Sequence, residues 1–144
     1  MSSKGLFRLS EAVVLALHAA ALLAESEGET VPTSALAKGL QASGHHLAKV
    51  LQRLARVGLV EGTRGPGGGF RLSRPAREIS LLQVYEAIEG PLVVCGCLFD
   101  RPVCDGRFCI LGGLVGRLED QTKRYLMETT LHDVAHRREG GCGG

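Results

Sequence analysis

Four cysteines, Cys95, Cys97, Cys104 and Cys109, crowd into residues 95 to 109, with one, six and four residues between successive members. Thiols at this density support three chemistries: a structural zinc site, an iron-sulfur cluster, or reversible thiol oxidation. Zinc favours two closely spaced pairs, and neither pair here has a two-to-four residue spacing matched by a second pair further on. The larger core of an iron-sulfur cluster spreads its ligating sulfurs and tolerates irregular spacing. On spacing alone, a cluster, zinc and a set of reduced or reversibly oxidised thiols all stay open. The fifth cysteine, Cys142, stands apart in a glycine-rich tail.

A second chemistry is written along one helical pattern. Leu47, Val50, Leu51, Leu54 and Val57 recur at the spacing of a buried stripe, and the opposite side shows His45, His46, Lys49, Gln52, Arg53 and Arg56. Such a face can donate to phosphate oxygens and to base edges. His45, His46 and Lys49, toward the N-terminus, are the candidate base readers, and Arg53 and Arg56 the candidate phosphate contacts. The charge distribution agrees: residues 33 to 77 hold eight Lys or Arg against one acid, Glu61, although the whole chain is only +2. A basic segment on a nearly neutral protein is the footprint of a nucleic-acid partner.

Catalysis finds no support. Gly-x-Ser-x-Gly, His-Glu-x-x-His and Walker patterns are absent from the sequence. Arg64-Gly65-Pro66-Gly67-Gly68-Gly69 has the glycine content of a phosphate loop, but no Lys-Ser or Lys-Thr follows, and the next residues alternate like a strand. The chain reads as a non-enzyme without a small-molecule substrate. His18, flanked on its helix side by Val14, Ala21 and Leu22, is by itself more commonly a satisfied core or interface histidine than a ligand.

The elements that must position these residues follow from caps and periods. Ser10 caps a first helix to about Glu25; Thr33 or Ser34 caps a second through Leu40; Ser43 caps the third, which Gly58 ends in the left-handed conformation. Two helices joined by the short turn 41–44 make a helix-turn-helix. Leu59, Val60, the glycine-rich turn and Phe70-Arg71-Leu72 make a β-hairpin wing, with Arg64, Arg71 and Arg74 supplying positive charge and Arg64 at a tip suited to a minor groove. Ser80 and Gln83 form a capping box for a fourth helix ending near Glu89. Periodicity returns from Ile110, and the seven-residue spacing Leu111, Leu118, Tyr125 suits pairing with the same helix of a second copy as well as packing on the chain's own first helix.

The expected fold is therefore mainly α: a winged helix-turn-helix DNA-binding domain over 6–90, a cysteine-rich loop over 91–109, a long dimerisation helix over 110–134 and a disordered tail over 135–144. With 44% hydrophobic residues the chain has enough core to need no disulfide framework. The apolar run Ala12 to Ala24 behind Lys4 and Arg8 resembles a signal segment, but Arg8, Glu11 and His18 are poorly placed for one, and no run reaches the ~18 apolar residues of a membrane span. A cytoplasmic location is expected, with no membrane partner.

Leu9-Ser10 through Ala16-Leu17, Ser43-Gly44-His45-His46-Leu47-Ala48-Lys49-Val50-Leu51, the wing Arg64 to Phe70, and Val84-Tyr85-Glu86-Ala87-Ile88-Glu89-Gly90 together resemble the Rrf-type transcriptional regulators, the IscR and NsrR group. The resemblance spans nearly residues 6 to 135, and the wing followed by the Glu-Ala-Ile-Glu-Gly helix end is its most specific part. It implies a homodimeric regulator that binds double-stranded operator DNA through Ser43, His45, His46, Lys49, Arg53, Arg56, Arg64 and Arg71, and senses redox, nitric oxide or iron-sulfur status. It further implies an iron-sulfur cluster, [2Fe–2S] or [4Fe–4S], on Cys97, Cys104 and Cys109. The family's common spacing is about five and five residues rather than six and four, Gly112 stands where one branch has a histidine, and Val14 stands at an acidic ligand position of another. The order of candidates for the fourth ligand is His18 of the partner subunit, then Cys95, then an exogenous group. The alternative is a DNA-binding regulator that uses the cysteines as a thiol switch or a structural zinc site.

Overall fold

The computed structural model describes residues 9–26, 28–94, 96–97 and 109–139. Among these residues, six helices and one hairpin follow in the order α1 (Glu11–Glu25), α2 (Thr33–Leu40), α3 (Gly44–Arg56), β1 (Val60–Thr63), β2 (Gly69–Leu72), a 3-10 turn (Ala76–Glu78), α4 (Leu81–Glu89), α5 (Leu114–Glu128) and α6 (Leu131–Glu139).

Helix α1 is the central post. Its buried side is built largely of alanines, Ala16, Ala19, Ala20, Ala21 and Ala24, with Val13 and Leu23. Small side chains let neighbouring helices approach closely, and α1 packs against α2, α3, α4, α6 and β2. Leu47, Leu51 and Leu54 of α3, with Ile79 and Leu131, are also fully buried. At the start of α1, the Ser10 side chain accepts from the Val13 N–H and its hydroxyl donates to the Glu89 carboxylate, tying this end to α4. Ser80 and Gln83 close the expected capping box. Helix α2 differs from expectation. Pro32 occupies the N-cap position without a side-chain cap, and Thr33 and Ser34 lie inside the first turn. The entry to α2 is fixed instead by Val31, which exchanges two backbone hydrogen bonds with Phe70 at 2.8 and 2.9 Å.

The wing is an antiparallel pair with Val60 opposite Leu72 and Glu61 opposite Arg71. Its backbone passes close to the Val31 segment: a Cβ on Gly69 would lie 2.1 Å from the Val31 carbonyl oxygen, so glycine is required there.

The C-terminal region corrects the single helix expected over 110–134. Gly112 and Gly113, at φ +57° and +78°, delay the helix to Leu114. It ends at Glu128 because Thr129 turns extended and the chain pairs with the segment before α4: Leu81 N–H donates to the Thr129 carbonyl and Leu131 N–H to the Ile79 carbonyl, each at 2.9 Å. Thr130 and Asp133 then cap α6 reciprocally. Residues 135–139, expected in a disordered tail, belong to α6, whose Leu131 and Ala135 are buried in the main core. Residues 140–144 lie outside the described ones.

Candidate nucleic-acid interface and cysteine site

Helix α3 inserts Leu47, Val50, Leu51 and Leu54 into the core and so turns its basic face outward. The Ser43 side chain caps it through the His46 N–H, and Gln41, in the left-handed conformation at φ 52°, makes the tight turn from α2. His45, Lys49, Gln52, Arg53 and Arg56 are exposed. His46 is half-buried and shares with His18 and Glu11 a cleft of about 490 Å³ between α1 and the turn. Arg64 is exposed at the wing tip.

Two of the candidate arginine contacts have partners among the described residues. The Arg53 Nη2 donates to the Ile88 carbonyl at the end of α4. Arg71 donates from Nε and Nη2 to Glu61 Oε2 at 3.2 and 3.0 Å, across the register of the hairpin. Both members of that pair are half exposed, so its effect on stability is small.

The cysteine site is described in part. Cys97 and Cys109 are free, partly buried thiols, and Cys95 and Cys104 lie outside the described residues. Cys109 stands just before α5, where the backbone N–H groups of Gly113 and Leu111 and, less strongly, Gly112 hold its thiol below the ordinary range, with burial opposing them. Hydrogen bonds to the charged form favour the thiolate. The neighbourhood of Cys97 is bound to the same helix. Gly96 N–H donates to Glu119 Oε2 at 2.8 Å, and a Cβ on Gly116 would lie 3.5 Å from the Gly96 Cα. Glu119 is a buried carboxylate that the sequence pattern does not flag, because a glutamate on an amphipathic helix reads as solvent-facing. His18 is exposed, its Nδ1 hydrogen-bonded to the Val14 carbonyl at 2.7 Å. Among the described residues no three His, Cys, Asp or Glu side chains gather as for a metal ion.

Residues 9–137 match the Rrf2 family, described as an iron-dependent transcriptional regulator. The chain is an Rrf2-family transcriptional regulator. IscR of Pectobacterium carotovorum subsp. carotovorum is 27% identical over 139 residues, covering 96% of this chain and 80% of its own length. The structure of CymR, the global cysteine regulator of B. subtilis, superposes with a TM-score of 0.76 at 26% identity, over 91% of this chain and 98% of that one. T. potens IscR shares the fold, with a TM-score of 0.72 at 20% identity over 96% of this chain and 93% of that one. The Rrf2 relatives are DNA-binding regulators of transcription and not enzymes, and their winged helix-turn-helix fold is the one expected from the sequence. Among the described residues no helix of this Rrf2 protein is long and apolar enough to cross a membrane.

Proposed function

We propose that this Rrf2 protein is a homodimeric regulator whose affinity for operator DNA is set at the cysteine segment, through an iron-sulfur cluster held by Cys97, Cys104 and Cys109 with His18 of the partner subunit. The carrying observation is that both described cysteines adjoin α5, the helix that presents exposed Leu114, Leu118 and Tyr125, with Leu111 just before it: Gly96, next to Cys97, donates to Glu119 of α5, and the Cys109 carbonyl accepts from the Gly112 N–H in the turn that leads into α5.

The donor chemistry fits. Cys109 is biased toward the thiolate, the form that ligates metal. His18 is solvent-facing, and engaging Nδ1 on a backbone carbonyl orients the ring with Nε2 outward, the arrangement seen in ligating histidines. A bound cluster would supply a group that changes charge on oxidation and is dismantled by oxidants or nitric oxide. The protein's own part is mechanical. Glu119 and Gly116 fasten the 96–97 segment to α5, so ordering the cysteine segment stiffens the helix through which two subunits pair. The spacing of two α3 helices on DNA, about 34 Å for half-sites one turn apart, depends on that pairing.

The test is anaerobic purification with an absorption spectrum and iron, sulfide and zinc analysis on one sample, followed by gel shifts of loaded and cluster-free protein on one operator. Visible bands with matched iron and sulfide, and unequal operator affinities, are expected. Equal affinities remove the coupling. The lowered Cys109 thiol supports a second reading, a thiol switch without metal, which predicts colourless protein whose DNA affinity changes with peroxide and recovers with dithiothreitol.

A further inference from the structure

A cleft of about 620 Å³ opens where the end of α1, the wing strands, the 3-10 turn and α6 meet, away from the cysteine segment. Its charge is lopsided. Arg71, Arg74, Arg77, His132 and His136 line it, facing two carboxylates, Glu25 and Glu61. Both carboxylates are engaged: Glu61 takes the two Arg71 donors, and Glu25 has a partner of its own. Arg74 and Arg77 make no hydrogen bond or ion pair among the described residues. They flank Pro75 and Ala76, and the fixed φ of Pro75, −55°, holds the turn that carries them. Across the cleft the rings of His132 and His136 lie 4.0 Å apart. The Nδ1 of His136 is spent on the His132 carbonyl, which leaves its Nε2 edge for the cleft.

We propose that this cleft binds a small molecule carrying two or more carboxylate or phosphate groups. Guanidinium forks suit such oxygens bidentately, and His132 and His136 opposite them can donate to a second anionic group when their imidazoles are protonated. The volume lies within the ~300–1,000 Å³ of small-molecule sites. Its walls come from the end of α1, the base of the wing, the 3-10 turn and α6, with no residue of α3 or of the wing tip among the described lining residues. An occupant therefore ties the wing to the C-terminal helix while leaving the recognition helix open, a position from which it can bias DNA affinity.

The test is isothermal titration of the full-length protein with citrate and with pyrophosphate, at an ionic strength fixed with chloride. Saturable binding of at least one is expected. It should weaken roughly tenfold or more in the Arg74→Gln, Arg77→Gln double variant and in the His132→Gln, His136→Gln double variant. Lys49→Ala should leave it unchanged. No saturable binding of either anion, or equal affinity in both double variants, overturns the proposal; if one variant fails to fold, the other decides. The same proteins titrated with random-sequence duplex DNA separate the two sources of phosphate. Loss of duplex affinity and of salt slope in the arginine variant, with neither small anion bound, makes these arginines DNA-backbone contacts and also overturns the proposal.

Discussion

Lys49 and Arg53 lie one turn apart on α3, yet only Arg53 reaches back into its own protein, to the Ile88 carbonyl. Removing Lys49 takes away a cation facing outward, whereas removing Arg53 also strips a partner from a carbonyl at the end of α4. Lys49→Ala should therefore weaken operator binding by ~1–3 kcal/mol with an unchanged melting temperature. Arg53→Ala should weaken binding and also lower stability by about 1 kcal/mol. Gel shifts at several salt concentrations and thermal unfolding of both variants check this. The outward basic face of α3 was legible in the sequence because Leu47, Val50, Leu51 and Leu54 repeat at helical spacing. The Arg53–Ile88 and Glu119–Gly96 contacts were not, since each joins residues 35 and 23 positions apart that only tertiary packing brings together.

Helices α5 and α6 show where periodicity misleads. The pattern runs through Thr129 and Thr130 without a proline or glycine, so one long helix was the natural expectation. A weaker signal was present, because Thr130 followed three residues later by Asp133 has the form of a helix start. That cap makes α6 acid-sensitive. Hydrogen bonds from the Thr130 backbone and side chain, aided by the nearby positive charges of His132 and Arg137, hold the Asp133 carboxyl below its ordinary value of 3.8. A carboxyl lowered by folding contributes stability that is present above its unfolded-state value and is lost as pH falls through the folded one. The thermal midpoint followed by circular dichroism should thus fall as pH drops below about 4. Asp133→Asn should flatten that part of the dependence, and an unchanged acid slope in the variant would count against the cap as its source.

Across the whole molecule, the fold and family were readable because caps, wing glycines and the two amphipathic stripes all agree, while assembly depends on surfaces one chain leaves uncovered. Leu114, Leu118 and Tyr125 are 42%, 37% and 49% exposed on α5. If two copies cover them, Leu118→Glu should give monomers by sedimentation equilibrium with unchanged helical circular dichroism. Operator affinity should fall about a hundredfold or more, because two linked half-site contacts become one. A dimer that persists in this variant would place the interface elsewhere. The docking of α6 on α1 also bears on how the chain is made. Leu131 and Ala135 cover part of the alanine side of α1, so that side stays open to solvent while the helix-turn-helix and wing have already left the ribosome. The DNA-reading half cannot complete its packing in order of synthesis; it waits for α6, and a nascent chain stalled before Leu131 would present the part of α1 that α6 covers to chaperones and proteases.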